Sequence, residues 1–215
     1  MIKKKLILIG GGGHCKVVIS ILKKLKIFEI VGIIDNYKVE SSIEGIKIIG
    51  IDNDLKDFFK SGIKNALITV GSIKNNSKRY KLFTLAKNVG YNFPIIVSPY
   101  AIVDSSVSIG EGTVIMPGGI INIDSSIGKN CIINTGSIIE HDCKIGDYCH
   151  IAPGAHISGS VEIGELSFIG IGSSIIQGVK VGKNVTIGAG SAVIKDVPDN
   201  AVVVGNSGKV IKIKC

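Results

Sequence analysis

Aliphatic side chains recur with a period of six through the second half of the chain. Every sixth residue from Val103 to Val193 is isoleucine or valine, sixteen positions without an exception. Neither an α-helix nor a simple alternating strand produces this period, because their repeats are 3.6 and 2 residues. A three-sided parallel β-helix does, since each side takes one hexapeptide and directs one aliphatic side chain inward. The pattern therefore predicts a triangular prism of about five coils.

A second period, of eighteen residues, supports the prism. Glycine follows the repeating aliphatic residue at positions 110, 128, 146, 164 and 182. Eighteen residues make one coil, so these glycines fall on the same side of successive coils, where the chain needs an unusual backbone angle or a close approach. The alternative, a β-sandwich with isoleucine-rich strands, gives no such register. The open end of a prism needs a cap, and residues 196–215 are the candidate.

The first half of the chain alternates short apolar runs with helical patterns. Residues 2–9 form a strand, glycines follow at 10–13, and residues 17–26 have the apolar spacing of a helix. A second strand ends at Asp35, residues 54–62 form a short helix, and a third strand ends at Ser72. This order predicts a small parallel βαβ sheet in a domain of residues 1–97, followed by the prism domain, 98–215.

Ligands of open parallel sheets bind at the carboxyl ends of the strands. Here those ends carry the glycine run, Asp35 with Asn36, and Gly71 with Ser72, which converge on one edge. Glycines let a phosphate approach the amides at the start of a helix. The run only approximates G-x-G-x-x-G, and about 70 residues are too few for a full dinucleotide fold, so a mononucleotide or nucleotide sugar is favoured. A purely structural glycine turn is the alternative.

The composition narrows the classes of ligand and the location. The formal charge is +8, but the lysines are spread thinly, aromatic residues make up 5%, and no nucleic-acid motif is present, so small phosphate-bearing ligands are favoured over nucleic acid. No apolar run has the length of a membrane span, and Met1 leads into a lysine-rich strand rather than a signal peptide, which predicts a cytoplasmic protein. Five cysteines without a C-x-x-C pair argue against a disulfide framework.

His141 is the best candidate for a general base among the four histidines. It lies between Glu140 and Asp142, and a carboxylate within reach raises the basicity of an imidazole and fixes its tautomer. Acyl transfer from a thioester needs such a base, together with donors for the tetrahedral oxyanion. His150 follows nine residues later, one and a half sides of the prism, so a pocket that contains both histidines needs two subunits.

Two other chemistries remain open at this point. His150 and His156 are one hexapeptide apart, and with His141 they allow a zinc site like that of the β-helical γ-class carbonic anhydrases, which join histidines across a trimer interface. That alternative explains neither the N-terminal sheet nor the acids beside His141. Cys143 and Cys149 are also one hexapeptide apart, but thiolate catalysis needs a base oriented against one of them, so we interpret both as wall residues.

Over essentially its full length the chain resembles the sialic acid O-acetyltransferase and nucleotide-aminosugar N-acetyltransferase family, which includes bacillosamine and perosamine acetyltransferases. The matching motifs are GGGGHCKVV, the IID-N end of the second strand, VGS followed by Arg79, and NTGSIIEHDCKIGDYCHIAPGAHISGSVEIG. The resemblance implies a left-handed β-helix, a homotrimer with active sites between neighbouring prisms, acetyl-CoA as donor, and direct transfer without an acyl-enzyme or a metal.

The resemblance also implies roles for individual residues. His141 would be the base and Asp142 the acid that raises its basicity. Acetyl-CoA would contact His150, Gly159, Ile171 and Ala189. The sugar nucleotide would lie on Gly12, Gly13, His14, Asp35, Asn36 and Arg79. The family's G-x-P-A-K is here GNSGK at residues 205–209, and Asn36 stands where some members have a second acid, so the CoA-adenine contacts and the nucleotide stay open.

The expected activity is acetyl transfer to the amine of a nucleotide-linked amino sugar in bacterial surface-glycan biosynthesis. An amine at C4 of a UDP-linked 6-deoxy sugar is the first expectation, because a nucleotide handle explains why the N-terminal sheet is retained. O-acetylation of a sialic acid or a related sugar is the alternative. A non-catalytic scaffold built on the same prism is a third possibility, which loss of the His141 imidazole would separate from an enzyme.

Overall fold

The computed structural model describes residues 3–36, 41–72 and 76–214. The start of the predicted first strand and Cys215, at the end of the predicted cap, lie outside these ranges. The N-terminal domain contains, in chain order, β1 (Lys4–Ile9), α1 (Gly13–Leu25), β2 (Phe28–Ile34), β3 (Ser42–Ile43), β4 (Ile46–Gly50), a 3₁₀ turn (Asp52–Asp54), α2 (Leu55–Lys60), β5 (Asn65–Ile68) and α3 (Ser77–Val89).

The N-terminal sheet has the order β3-β4-β2-β1-β5. Its strands β4, β2, β1 and β5 are parallel, and β3 joins β4 in an antiparallel hairpin. Residues 6–9 of the central strand β1 are fully buried, as expected for a parallel strand covered on both faces. The predicted parallel βαβ arrangement is thus confirmed.

Four details differ from the sequence-based expectation. Helix α1 begins at Gly13 rather than near residue 17, strand β5 ends at Ile68 rather than at Ser72, and the β3–β4 hairpin and α3 were not predicted. Helix α3 gives a weak apolar pattern because it begins in a polar run and buries an arginine, Arg79, beside Leu82 and Phe83. The polar start therefore hides the helix from a search for apolar spacing.

The prism is built from two-residue strands that recur every six residues. They are β6 (Ile96–Val97), β7 (Ile102–Val103), β8 (Ser108–Ile109), β9 (Val114–Ile115), β10 (Ile120–Ile121), β11 (Ser126–Ile127), β12 (Ile132–Ile133), β13 (Ile138–Ile139), β14 (Lys144–Ile145), β15 (His150–Ile151), β16 (His156–Ile157), β17 (Glu162–Ile163), β18 (Phe168–Ile169), β19 (Ser174–Ile175), β20 (Lys180–Val181), β21 (Thr186–Ile187) and β22 (Ala192–Val193). Each pairs in parallel with the strand one coil away, as Ile121 does with Ile139. This register confirms the predicted β-helix of hexapeptide repeats, and the structure agrees with the left-handed form that the resemblance implies.

Three parallel sheets form the sides of the prism. The domain-facing sheet contains β6, β9, β12, β15, β18 and β21; the second sheet contains β7, β10, β13, β16, β19 and β22; the third contains β8, β11, β14, β17 and β20. Every sixth residue from Ile115 to Val193 is buried in one continuous core between the sheets, and Val103 and Ile109 pack against it. The repeating aliphatic side chains therefore point inward, as predicted.

Two columns of glycines in the prism have different physical roles. At Gly128 and Gly146, both in the predicted column, an added Cβ would lie 2.6 Å from a backbone nitrogen of the next coil, so these positions need glycine for close approach. Positive φ angles occur in another column, at Gly118, Gly136, Gly154 and its successors. Of the two reasons given from the sequence, close approach applies to the predicted column.

The C-terminal segment closes the prism. Strand β23 (Ala201–Val204) pairs with β21, and β24 (Lys209–Ile213) returns antiparallel to it, so residues 205–208 of the segment GNSGK form the hairpin turn. Val197, Ala201 and Val203 fill the end of the core. At the other end, β6 already pairs with β9, so the strands of the prism begin at Ile96, two residues before the predicted boundary.

The N-terminal domain packs on the domain-facing sheet. The outward residues Ile96, Val114 and Ile132 of that sheet belong to the same buried cluster as Leu22 of α1. The next outward residue in this column is His150, which pairs in register with Ile132. His150 therefore lies where the covered part of the sheet ends, and its environment is set by both domains.

Candidate active site

His141 and Asp142 form a hydrogen-bonded pair at the corner between β13 and β14. The imidazole Nδ1 lies 2.7 Å from Asp142 Oδ2, and the two side chains are 47% and 59% exposed. Asp142 has a φ of 59°, in the left-handed region that aspartate tolerates better than most residues. If Nδ1 donates to the carboxylate, Nε2 is the nitrogen that can accept a proton.

The second acid beside His141 has a different partner. Glu140 Oε2 accepts a hydrogen bond of 2.8 Å from Asn122 Nδ2, one coil earlier. The corner therefore separates the two acids that the sequence places on either side of the histidine. Asp142 orients the imidazole, and Glu140 ties neighbouring coils together.

Gly159 provides the space in which the His141 ring lies. It is the residue one coil after His141, and a Cβ at this position would be 2.6 Å from both Cε1 and Nε2 of the imidazole. The backbone of the same coil is anchored to His141, since Ser160 N donates to His141 O over 2.9 Å. A side chain at position 159 would therefore displace the ring.

Ile171 and Ala189 lie at another corner of the prism, between the domain-facing sheet and the second sheet. They are one coil apart, and Gly190 N donates to Ile171 O over 2.8 Å. Both residues are exposed, and 59% of the surface of Ile171 is accessible to solvent. The second sheet lies between this corner and that of His141, so within one chain the four predicted CoA contacts do not share a surface.

His150 is buried, and both ring nitrogens are bonded within the chain. Its Nδ1 lies 3.0 Å from the carbonyl oxygen of Ser72 and 2.9 Å from Ser72 Oγ, while Asn134 Nδ2 lies 3.0 Å from Nε2. An amide NH₂ only donates, so Nε2 accepts and Nδ1 carries the proton. Burial lowers the pKa of His150 to about 4, which makes the ring neutral at physiological pH. Its predicted contact with acetyl-CoA stays a prediction.

The edge of the N-terminal sheet brings together the segments that the sequence placed there. Gly11 N donates to Asp35 Oδ2 over 2.6 Å. Asn36 Nδ2 donates to Asp52 Oδ2 over 2.8 Å, and Asn36 Oδ1 accepts from the Asp52 backbone N–H over 2.9 Å. Gly12 and Gly13 are exposed, and open space surrounds the place where a side chain would be. Helix α1 begins there without a side-chain cap, which suits an anionic group.

His14 lies in the first turn of α1, behind this edge. Its side chain is partly exposed, but Nε2 is buried and has no hydrogen-bond partner in the part of the chain that the structure describes. Burial holds the pKa of His14 well below its ordinary value, and electrostatic interactions with Arg79 and His150 act in the same direction. His14 is therefore neutral and has one acceptor or donor available for a ligand or a water.

Arg79 does not reach the surface of this edge. The side chain is 1% exposed, and its guanidinium donates to the backbone oxygens of Ile68 and Val70 and to Asn130 in the prism. The cation that lines the small cleft with Asp35 and Asn36 is Lys78, which the sequence analysis missed. A sugar-nucleotide contact of Arg79 stays a prediction, but these contacts favour a structural position.

The cysteines of the prism are wall residues, as interpreted from the sequence. Cys131, Cys143 and Cys149 are buried, and each thiol donates to the carbonyl oxygen fifteen residues later, at 3.2 Å. Burial raises the pKa of Cys131 to about 12 and raises that of the other two thiols. A thiolate nucleophile is therefore disfavoured at all three positions.

The described residues contain no group of three histidine, cysteine or acidic side chains with metal-binding geometry. His156 lies on the second sheet and His150 on the domain-facing sheet, so the zinc alternative does not find its ligands within one chain. In the same ranges, no helix combines the length and apolar character needed to cross a membrane.

Two family models match the chain. The PglD N-terminal domain matches residues 5–85, and the bacterial transferase hexapeptide (six repeats) matches residues 124–159 and 160–195. No curated protein matches.

Solved structures match nearly the whole chain. The acetyltransferase domain of PglB from Neisseria gonorrhoeae is 33% identical, with a TM-score of 0.92 over 97% of this chain and all of that one, and it was also solved with acetyl coenzyme A. PerB from Caulobacter crescentus, in complex with CoA and GDP-perosamine, is 35% identical, with a TM-score of 0.91 over 97% of each chain. WeeI from Acinetobacter baumannii is 27% identical, with a TM-score of 0.83 over 96% and 99%.

These identities extend over both domains, and the histidine–aspartate pair lies at an exposed corner of the repeat region. The chain therefore belongs to the family of bacterial hexapeptide acyltransferases with a PglD N-terminal domain.

Proposed function

We propose that this chain is an acetyl-CoA-dependent N-acetyltransferase that acts on the amine of a nucleotide-linked amino sugar. The observation that carries the proposal is the oriented His141–Asp142 pair, with Gly159 leaving space for the ring. Further support comes from the PerB structure, whose ligands are CoA and GDP-perosamine. A second structure of that enzyme is a histidine-to-alanine variant with the same two ligands.

In the proposed reaction, Nε2 of His141 accepts a proton from the sugar amine while the amine nitrogen attacks the thioester carbonyl. The new C–N bond forms a tetrahedral intermediate, whose oxyanion backbone amides stabilise. Collapse of the intermediate breaks the C–S bond, and the imidazolium returns its proton to the CoA thiolate. Asp142 accepts the Nδ1 hydrogen bond throughout, which keeps the ring in the productive tautomer.

The active site is proposed to lie between subunits of a homotrimer in the cytoplasm. We call the edge of the N-terminal sheet that carries Gly12, Gly13 and Asp35 the acceptor edge. Its domain packs on the domain-facing sheet, whereas His141 lies at the corner between the two other sheets. Ile171 and Ala189 lie at a third location, across the second sheet from His141. We call the surface that carries His150, Ile171 and Ala189 the donor wall. If two prisms pack side by side, the His141 corner of one chain lies next to the acceptor edge and the donor wall of its neighbour.

Steady-state turnover of the His141→Asn variant tests the proposal. Loss of a general base should lower kcat by about 10² to 10⁴ while the chain keeps its fold and assembly. His156→Asn is the matched control, because His156 is also an exposed histidine of the prism. Equal, measurable turnover of wild type and His141→Asn would refute the base assignment, whereas a wild-type protein without turnover would favour a scaffold.

The acceptor is tested separately with acetyl-CoA and a panel of UDP- and GDP-linked amino sugars and free sialic acid. Turnover of a nucleotide-linked amine is the expected result. Turnover of sialic acid alone would establish O-acetylation in its place. The GDP ligand of PerB makes both nucleotides necessary in the panel.

A further inference from the structure

Arg79 is the only arginine of a chain that otherwise uses lysine for every basic position. It is also among the largest fully buried side chains. Among the described residues no acidic side chain forms an ion pair with it. Burial lowers the pKa of Arg79 to about 10, so the group remains charged at neutral pH. A buried charge without a carboxylate is costly, and its retention calls for a specific role.

The two arms of the guanidinium join the two domains. Nη1 donates to the carbonyl oxygens of Ile68 and Val70, at 2.9 and 2.7 Å, where β5 ends. Nη2 donates to Asn130 Oδ1 at 2.6 Å and to its carbonyl oxygen at 3.2 Å, at a corner of the prism. These four acceptors lie in two directions, which suits the planar fork of arginine and not the single ammonium of lysine.

The segment held by Arg79 leads directly to both candidate ligand sites. After Val70, a Cβ on Gly71 would lie 3.4 Å from His14 Cβ, behind the acceptor edge. The carbonyl oxygen of Ser72 accepts a hydrogen bond from Nδ1 of His150, on the outer face of the prism. Two adjacent residues, Gly71 and Ser72, therefore contact His14 near the acceptor edge and His150 on the prism.

Asn76, at the N-cap of α3, supports the same attachment. Its Nδ2 donates to Tyr148 O at 2.6 Å and reaches Leu166 O and Ser167 O at 3.3 Å. The start of α3 is thus hydrogen-bonded to two successive coils of the prism, at Tyr148 and at Leu166 and Ser167. Besides the aromatic contacts of Tyr80 and Phe83 with Tyr148, α3 and its N-cap are attached to the prism through two almost fully buried polar side chains, Asn76 and Arg79.

We propose that Arg79 is a positioning residue: it fixes the segment after β5 on the prism, so that Ser72 holds the His150 imidazole and the acceptor edge keeps a constant register with the donor wall. This assignment rests on the proposed function and replaces the direct contact with substrate expected from the sequence. Arg79 acts through Ser72 and Gly71, without touching either substrate. The consequence is that the geometry of transfer depends on one residue in the domain interface.

Arg79→Lys tests the proposal, because it keeps the charge and removes the fork. Imidazole ¹⁵N spectra of the full-length protein report the tautomer and titration of His150, and the same samples give kcat and KM. We expect His150 to lose its exclusive Nδ1–H tautomer and kcat to fall by about 100-fold, as for a displacement near 1 Å, while both KM values change little. Lys81→Met, which removes an exposed charge from the same helix, should behave as wild type.

A folded Arg79→Lys variant with an unchanged His150 spectrum and full turnover would overturn the proposal. If Arg79→Lys does not fold, Asn130→Gly and Asn130→Asp take its place, since both suit the φ of 50° at that corner. The aspartate variant retains an acceptor for Arg79 and should keep the His150 tautomer and turnover; the glycine variant should lose them. Equal behaviour of the two would overturn the proposal.

The histidine spectra separate this inference from the proposed function. A wild-type protein that acetylates none of the acceptors would refute the activity. The tautomer of His150 in wild type, Arg79→Lys and Lys81→Met would still show whether Arg79 sets the position of that ring.

Discussion

Replacement of Gly159 by alanine is the sharpest test of the His141 site, because it adds one methyl group and removes no polar contact. The added Cβ would lie 2.6 Å from Cε1 and Nε2 of the imidazole. Carbon atoms in contact are about 3.5–4.0 Å apart, so the ring must move by about 1 Å. The ring lies at the surface and can move, which breaks its 2.7 Å alignment with Asp142 rather than the fold.

The structure gives different magnitudes for activity and stability. A displacement of about 1 Å at a catalytic group lowers turnover by about 100-fold. The φ of Gly159 lies outside the left-handed region, so alanine is allowed there, and the smaller backbone entropy of the unfolded chain contributes about 0.4–1 kcal/mol in favour of folding. We therefore expect a large loss of kcat with a free energy of unfolding within about 1 kcal/mol of wild type.

The assay is steady-state acetyl transfer together with denaturant unfolding of the same preparation. Ser105→Ala is the control, since it makes an equally small change at an exposed position of the first coil. A Gly159→Ala protein with normal turnover would refute the reasoning that the His141 ring must lie above position 159. An unstable Gly159→Ala protein would refute the view that this space serves the imidazole alone.

Three further predictions follow from the prism. Gly146→Ala should cost about 1–3 kcal/mol in denaturant unfolding, because its Cβ would overlap the backbone of the next coil; unchanged stability would contradict that close approach. The pKa of His150 in the folded protein, about 4, lies below its ordinary 6.5, so the unfolded chain binds the proton first. Stability should therefore be complete above pH 6.5 and fall by about 3 kcal/mol as the pH drops to about 4, a loss that His150→Gln should reduce. Iodoacetamide should leave Cys131 and Cys149 of the native protein unmodified and turnover intact, as mass spectrometry and assay would show; rapid modification would contradict their raised pKa values.

Most of the fold could be predicted from the sequence because the prism repeats locally. Each coil contacts only the coils before and after it, so one side-chain pattern, recurring every eighteen residues, specifies every neighbour. The residues from Ile115 to Val193 therefore reveal strand, register and core together. Helix α3 carries no such repeat. Its Arg79 and its N-cap residue Asn76 are buried, their partners in the prism lie 51 to 91 residues away, and no local sequence pattern predicts these contacts.

The candidate site likewise contains some features that the sequence predicts and others that only the structure shows. The proximity of His141 and Asp142 follows from adjacency in the chain, and the convergence of Gly11 with Asp35 follows from the rule for parallel strands. The role of Gly159 depends on its position one coil after His141. The period of eighteen residues predicts that position, but we did not use it in the sequence analysis. Lys78 at the acceptor edge depends on the path of α3 and could not have been found without it.

The sequence by itself determined the prism, the parallel sheet and the proximity of His141 and Asp142, because each depends on neighbours that are adjacent or separated by a fixed period. Only the tertiary structure decided the placement of the sheet on the prism, the neutral state of His150 and the burial of Arg79. These features depend on desolvation and on hydrogen bonds between segments far apart in the chain, and such contacts leave no periodic trace in the sequence.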